Sequence, residues 1–97
     1  MNRQKTKLIG SKKIVRAGGL QWRAVGNEVI LLSVKNGQFS WLNETASRVW
    51  LLSDGSHTFG QLVSILHSEF KVDRKRLEID TKEFIQKMLR KRWLKVK

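Results

Sequence analysis

The dipeptide Asn36-Gly37, which lies between two apolar runs, constrains the fold of this chain more than any other feature. Asn-Gly is the strongest short signal for a β-hairpin, because a two-residue type I′ turn needs positive φ at both central positions. Such a turn places Leu32 opposite Trp41. We therefore expect one face of the hairpin to be apolar and to point into the core, with these members: Ile30, Leu32, Val34, Phe39 and Trp41.

Three strands are expected, over Leu20–Val25, residues 28–35 and residues 38–42. A two-residue loop at Gly26-Asn27 would place Trp22 on the polar face of the hairpin. A loop one residue longer gathers the large apolar side chains on one side, since a slip of one residue moves a whole set to the other face. We therefore predict the longer loop and a three-stranded antiparallel meander with one buried face.

Helix signals follow the strands. Asn43 is a natural N-cap for a first helix, and Asp54-Gly55 ends it, because glycine can take the left-handed conformation after a helix. Thr58 and Gln61 have the spacing of a capping box, which opens a second helix that runs to about Phe70.

A third helix is predicted to begin between Asp73 and Thr81 and to end near Arg92. It carries an apolar stripe at helical spacing, formed by Leu77, Phe84, Ile85, Met88 and Leu89. The predicted order is βββααα in an α+β fold, with the three helices covering one side of the sheet. Each edge of such an open meander is a possible recognition surface.

The 97 residues suffice for one domain, and the net charge of +12 is placed unevenly. Residues 1–16 carry six Lys/Arg and no acid, so we expect a basic flexible arm, whose Ile14-Val15 can pair with the domain. Residues 17–97 form the predicted domain, in which the basic excess follows residue 70. A polyanionic partner is one interpretation of this charge, and a solvated surface is the other.

No enzyme signature is present, and no cofactor or metal site is expected. The chain has no cysteine, and His57 and His67 have no acid or histidine at a ligand spacing. The glycines lack the spacing of a phosphate-binding loop. No apolar run approaches the length of a signal peptide or a membrane span, so a cytoplasmic protein is expected.

Residues 16–94 resemble the PqqD-like family, the peptide-recognition elements of ribosomal peptide modification pathways. Three segments carry the resemblance. Residues 41–46 (WLNETA) are similar to the family's LNxTA junction, and residues 50–59 (WLLSDGSHTF) to its xxxDGxxT link. Residues 84–94 (FIQKMLRKRWL) are similar to its FxxxLxxxGLL ending, except that Arg92 stands where the family usually has glycine.

The resemblance implies a winged-helix-like fold and a non-catalytic role. The domain would bind the leader segment of a precursor peptide as a strand added beside the third strand, against the third helix. An open strand edge beside a basic helix suits such strand addition. Phe39 and Trp41 are expected to floor the groove, and Lys87 and Lys91 to face an acidic leader, although the opposite flank with Lys82 remains an alternative. The expected peptide-binding residues are Gln38, Phe39, Ser40, Trp41, Leu42, Phe84, Lys87, Met88 and Lys91.

The resemblance also implies a separate modifying enzyme as a partner, such as a radical-SAM protein or a leader peptidase and cyclase. No membrane partner is expected, and a homodimer through a free sheet edge is possible. The alternative function is a nucleic-acid-binding winged helix, which the sequence pI of 10.8 favours. Against it, the second helix is a poor reader of phosphates, because no Lys or Arg lies between Arg48 and Lys71.

Overall fold

The computed structural model describes residues 10–97 and places nine regular elements in them. The α+β class is confirmed, but the order βββααα is incomplete, since three further strands flank and interrupt the predicted elements. In chain order the elements are β1 Lys13–Arg16, β2 Leu20–Val25, β3 Glu28–Ser33, β4 Phe39–Leu42, α1 Glu44–Leu52, β5 Asp54–Thr58, α2 Phe59–Glu69, α3 Arg74–Arg90 and β6 Leu94–Val96.

The predicted meander is present as the antiparallel sheet β2–β3–β4. Its first hairpin turns at Gly26-Asn27, since Val25 pairs with Glu28, and Trp22 lies opposite Leu31. The longer loop that we expected is therefore wrong. Gly26 has a φ of +62° and Asn27 does not have positive φ, which is the pattern of a type II′ turn and needs no third residue.

The second hairpin has a four-residue loop rather than the predicted two-residue turn. Leu32 pairs with Phe39, and the Gly37 amide donates to the Ser33 carbonyl at 2.7 Å. Only Gly37 has positive φ, at +69°, whereas a type I′ turn would need it at Asn36 as well. The Asn36 side chain instead accepts from the Gln38 amide at 3.0 Å, a local bond typical of asparagine in turns.

The buried face of this sheet is opposite to the predicted one. Val29 and Leu31 are fully buried, whereas Phe39 is 56% and Trp41 57% exposed. The apolar run in β3 fits either face, so the pattern alone did not decide the matter. The buried hydroxyl of Ser47 in α1 holds the observed face toward the core. It accepts a hydrogen bond from the Val29 amide at 2.8 Å and donates one to a β4 carbonyl at 3.1 Å.

A second antiparallel sheet, β5–β1–β6, was not predicted as such. Its central strand lies within the segment that we expected to be a flexible arm, and Ile14 is fully buried between His57 and Val96. The prediction of a flexible arm is therefore wrong for Lys13–Arg16, where strand pairing on both sides satisfies the backbone hydrogen-bonding groups. The expected pairing of Ile14-Val15 with the domain is confirmed. The part of the arm over residues 1–9 lies outside the described residues.

The predicted helix starts are confirmed. The Asn43 side chain accepts from the Ala46 amide at 2.9 Å, and Thr58 and Gln61 form the reciprocal capping box. α3 begins at Arg74, after Asp73 as N-cap. α1 packs against β3 and β4, and the three helices share one core with the buried side chains of β3. The largest buried side chains of this core include Trp50, Leu62, Leu66, Ile85 and Met88.

Candidate functional site

The outer edge of β4 is open. β4 pairs with β3 on one side, and no strand among residues 10–97 pairs with its other side. The Ser33 amide donates to the Gln38 carbonyl at 2.7 Å, so Gln38 directs its backbone carbonyl toward β3. Because backbone groups alternate in direction along an antiparallel strand, those of Phe39 and Trp41 point to the open edge. The expected ladder thus has two outward residues in β4, while Ser40 and Leu42 serve β3.

A groove of about 440 Å³ lies between the start of α1, directly after β4, and α3. Two of the predicted α3 residues, Phe84 and Lys87, line it. Phe84 is half-buried and packs against the core, while Lys87 is exposed. The residues that line the groove are Asn43, Thr45, Ala46, Val49, Val72, Leu77, Asp80, Thr81, Glu83, Phe84 and Lys87.

Other residues expected in the site lie elsewhere on α3 or past its end. Met88 is 1% exposed and belongs to the core. Lys91 places its Nζ 4.8 Å from the ring centroid of Trp93, a cation–π geometry. Lys82 does not line the groove, so Lys87 is the lysine that the fold brings to it.

The charge of the groove differs from that of the whole chain. Asp80, Glu83 and Lys87 are its charged lining residues. Asp80 also accepts from Arg76 at 3.2 Å, one turn earlier in α3. The groove therefore carries more acid than base, although the chain has a net charge of +12.

The outward face of the sheet carries an apolar patch that the sequence interpretation placed in the core. Trp41 lies opposite Ile30, and Phe39 lies opposite Leu32. The Trp41 indole N–H donates to the Glu28 carboxylate, which fixes the ring beside its cross-strand neighbour. We call these four side chains, Ile30, Leu32, Phe39 and Trp41, the outer patch. Exposed aromatic residues on an edge strand mark an interaction surface.

An ion pair ties α1 to the end of α2 on another side of the molecule. Arg48 donates hydrogen bonds from Nε and Nη2 to the two Glu69 carboxylate oxygens at 2.7 and 2.8 Å. These hydrogen bonds lower the pKa of Glu69 and raise that of Arg48. Both side chains border a second cavity of about 370 Å³.

No catalytic constellation emerges within residues 10–97. The described part of the chain holds no group of three His, Cys, Asp or Glu that could bind a metal ion. His57 is occupied locally, since its Nδ1 lies 2.9 Å from the Leu52 carbonyl and 3.5 Å from Asp54. Among the described helices, none has the length and apolar character needed to cross a membrane.

The fold and the site define a small α+β domain in which the outer edge of β4 is unpaired within residues 10–97 and the chain enters a groove at Asn43. The family model described as coenzyme PQQ synthesis protein D (PqqD) matches residues 28–94. The chain belongs to this family, which confirms the resemblance. Among curated proteins, none matches the chain significantly.

Solved structures share the fold. TbiB1, in complex with the TbiA(beta) leader peptide, is 25% identical, with a TM-score of 0.75 over 84% of this chain and 94% of that one. Lasso peptide synthetase B1, complexed with the leader peptide, is 23% identical, with a TM-score of 0.72 over 86% and 98%. The heterocyclase TruD, at 14% identity and a TM-score of 0.61, matches 89% of this chain with only 12% of its own length.

Proposed function

We propose that this chain binds the leader segment of a ribosomally made precursor peptide as a strand added to the open edge of β4. Membership in the PqqD family and the likeness to TbiB1, which is in complex with a leader peptide, support the proposal. The observation that carries it is the outer edge of β4, which no strand of residues 10–97 pairs with and after which the chain enters a groove of about 440 Å³ at Asn43. Main-chain bonds at such an edge supply affinity, and pockets for alternate side chains supply specificity.

Under this proposal, the backbone and the side chains of the guest strand would make different contacts. Its backbone would bond to the outward amide and carbonyl groups of Phe39 and Trp41. Alternate guest side chains would point inward to the groove, where Phe84 and Lys87 lie, or outward beside the outer patch.

The role that we propose is non-catalytic presentation. The chain would hold the leader while a separate enzyme, such as a radical-SAM protein or a leader peptidase and cyclase, acts on the rest of the precursor. A homodimer through a free edge stays a prediction. The nucleic-acid alternative is not supported, since α2 (Phe59–Glu69) carries no Lys or Arg with which to contact phosphates.

Strand addition is tested by backbone methylation of a bound peptide. Peptides of 20 random residues are selected by display against the immobilised protein, and the tightest binder, the selected peptide, is synthesised with one N-methyl group at each position in turn. Since only every second amide of a strand faces its neighbour, we expect affinity to fall at alternate positions over four to six residues. Each lost bond weakens binding about tenfold or more when the partner carbonyl stays buried.

A protein variant provides the matched control. Phe39→Pro removes an outward N–H from β4, whereas Phe39→Ala removes the same aromatic ring and keeps the N–H. We expect Phe39→Pro to bind the selected peptide much more weakly than Phe39→Ala, with both folded by circular dichroism. Equal affinities, together with a methylation profile that shows no period of two, would refute strand addition.

A further inference from the structure

Thr81 stands out on the floor of the groove. It lies in the middle of α3, is 2% exposed and lines the groove. Its Oγ1 is buried and has no hydrogen-bond partner among the described residues. A threonine within a helix can bond to the carbonyl four residues earlier, here that of Leu77, but this bond is absent.

An unpaired buried hydroxyl destabilises a fold, because it loses its bonds to water and gains none in return. Valine has nearly the same shape and would fill this position without that penalty. The groove around Thr81 includes apolar surface from Val49, Leu77 and Phe84, so packing alone does not call for a hydroxyl. The unpaired oxygen is therefore best explained by a partner that arrives with a ligand.

We infer that the Thr81 hydroxyl binds an uncharged hydrogen-bonding side chain of the guest peptide, one that points inward from the added strand. The inference rests on the proposed function and names the class of residue that the groove selects. A hydroxyl both donates and accepts, and helical threonine has two accessible χ1 rotamers, so Oγ1 can turn toward the guest. Asp80 and Glu83 line the same groove and disfavour a guest carboxylate there, which leaves hydroxyl and amide side chains as the fitting class.

Two variants of Thr81 separate this role from simple packing. Thr81→Val removes the hydroxyl and keeps the shape, while Thr81→Ser keeps the hydroxyl. With the selected peptide, we expect Thr81→Val to bind about fivefold more weakly, the effect of one neutral hydrogen bond, and its Tm to equal or exceed that of the wild type. Thr81→Ser should bind within about twofold of the wild type. Ser68→Ala, which removes an exposed hydroxyl of α2 outside the groove, is the control and should leave affinity unchanged.

The guest residue is identified by a double-mutant cycle. Each inward-pointing hydroxyl or amide residue of the selected peptide is replaced by its apolar isostere, threonine by valine for example. One such replacement should weaken binding to the wild type about fivefold and leave binding to Thr81→Val unchanged. If Thr81→Val binds as well as the wild type, or if Thr81→Ser loses as much affinity as Thr81→Val, the inference is wrong. If the methylation profile still has a period of two, those results refute the role of Thr81 and not strand addition. The two proposals can therefore be refuted independently.

Discussion

At the scale of the residue, Arg92 adopts an unfavourable backbone conformation. It is the single non-glycine residue with positive φ among residues 10–97, at 64°. It occupies the left-handed position of a Schellman motif: its amide donates to Leu89 at 3.0 Å, and the Trp93 amide donates to Met88 at 2.9 Å. Glycine favours this position because it has no Cβ to meet the following carbonyl. The arginine therefore keeps the turn typical of the family with some strain.

Replacing Arg92 with glycine should consequently stabilise the fold. We expect Arg92→Gly to raise the free energy of unfolding by about 1 kcal/mol, measured by urea denaturation. Arg92→Gln is the control, since it removes the charge as glycine does but retains Cβ, and it should stay within about 0.5 kcal/mol of the wild type. Equal stabilities of the two variants would mean that charge, and not backbone conformation, determines the effect.

At the scale of the element, the Arg48–Glu69 pair joins α1 to the last residue of α2. The pKa of Glu69 is lowered in the fold, first by its hydrogen bond to Arg48. A lowered pKa means that the stabilisation is present above the unfolded pKa of Glu, about 4.3, and is lost as the pH falls through the folded pKa. Roughly a third of each side chain is exposed, so solvent screening limits the pair to less than about 1 kcal/mol.

Glu69→Gln should therefore be less stable than the wild type at pH 7 and equally stable near pH 3. A loss of stability below about 1 kcal/mol lowers the Tm of a domain of this size by at most about 8 °C, so the Tm difference at pH 7 should not exceed that value. Thermal unfolding of both proteins at pH 7, 5 and 3 measures the Tm difference. Glu83→Gln, at an exposed glutamate outside the described ion pairs, is the control. A difference that persists at pH 3 would show that packing of the side chain, not its charge, stabilises the contact.

The elements also show what local sequence can and cannot predict. The helix starts at Asn43 and Thr58 follow from capping chemistry, which acts within three residues, and they were correct. The buried face of β3 depends on Ser47, 18 residues from Val29, and the prediction was wrong. β1 and β6 were not predicted as regular strands. They have only four and three residues, respectively, and a segment that short among basic residues shows no clear strand periodicity. Among the residues that line the groove, Phe84 belongs to the predicted α3 stripe and Lys87 was predicted to flank it, whereas Thr81 gave no signal beyond a polar residue on an apolar face.

At the scale of the whole molecule, most of the positive charge lies away from the groove. The chain carries a net charge of +12, while the groove has two acids and one lysine among its lining residues. Of the two lysines expected to face an acidic leader, Lys87 lines the groove, whereas Lys91 lies over the Trp93 ring. Charge spread over a surface acts at a distance, and it alters how fast partners meet more than how long they stay together.

This separation predicts a kinetic signature for acidic leaders. The selected peptide is extended by three glutamates or three glutamines beyond the segment that the methylation profile defines, and binding is followed by surface plasmon resonance at 0.1 and 0.5 M NaCl. At 0.1 M, where the Debye length is about 10 Å, we expect the glutamate version to associate several-fold faster, and this advantage should vanish at 0.5 M. The dissociation rates of the two versions should agree at both salt concentrations, because the added glutamates make no fixed contact in the bound state. A dissociation rate that is slower for the glutamate version and rises with salt would place a lysine, Lys87 first, in direct contact with the acidic segment.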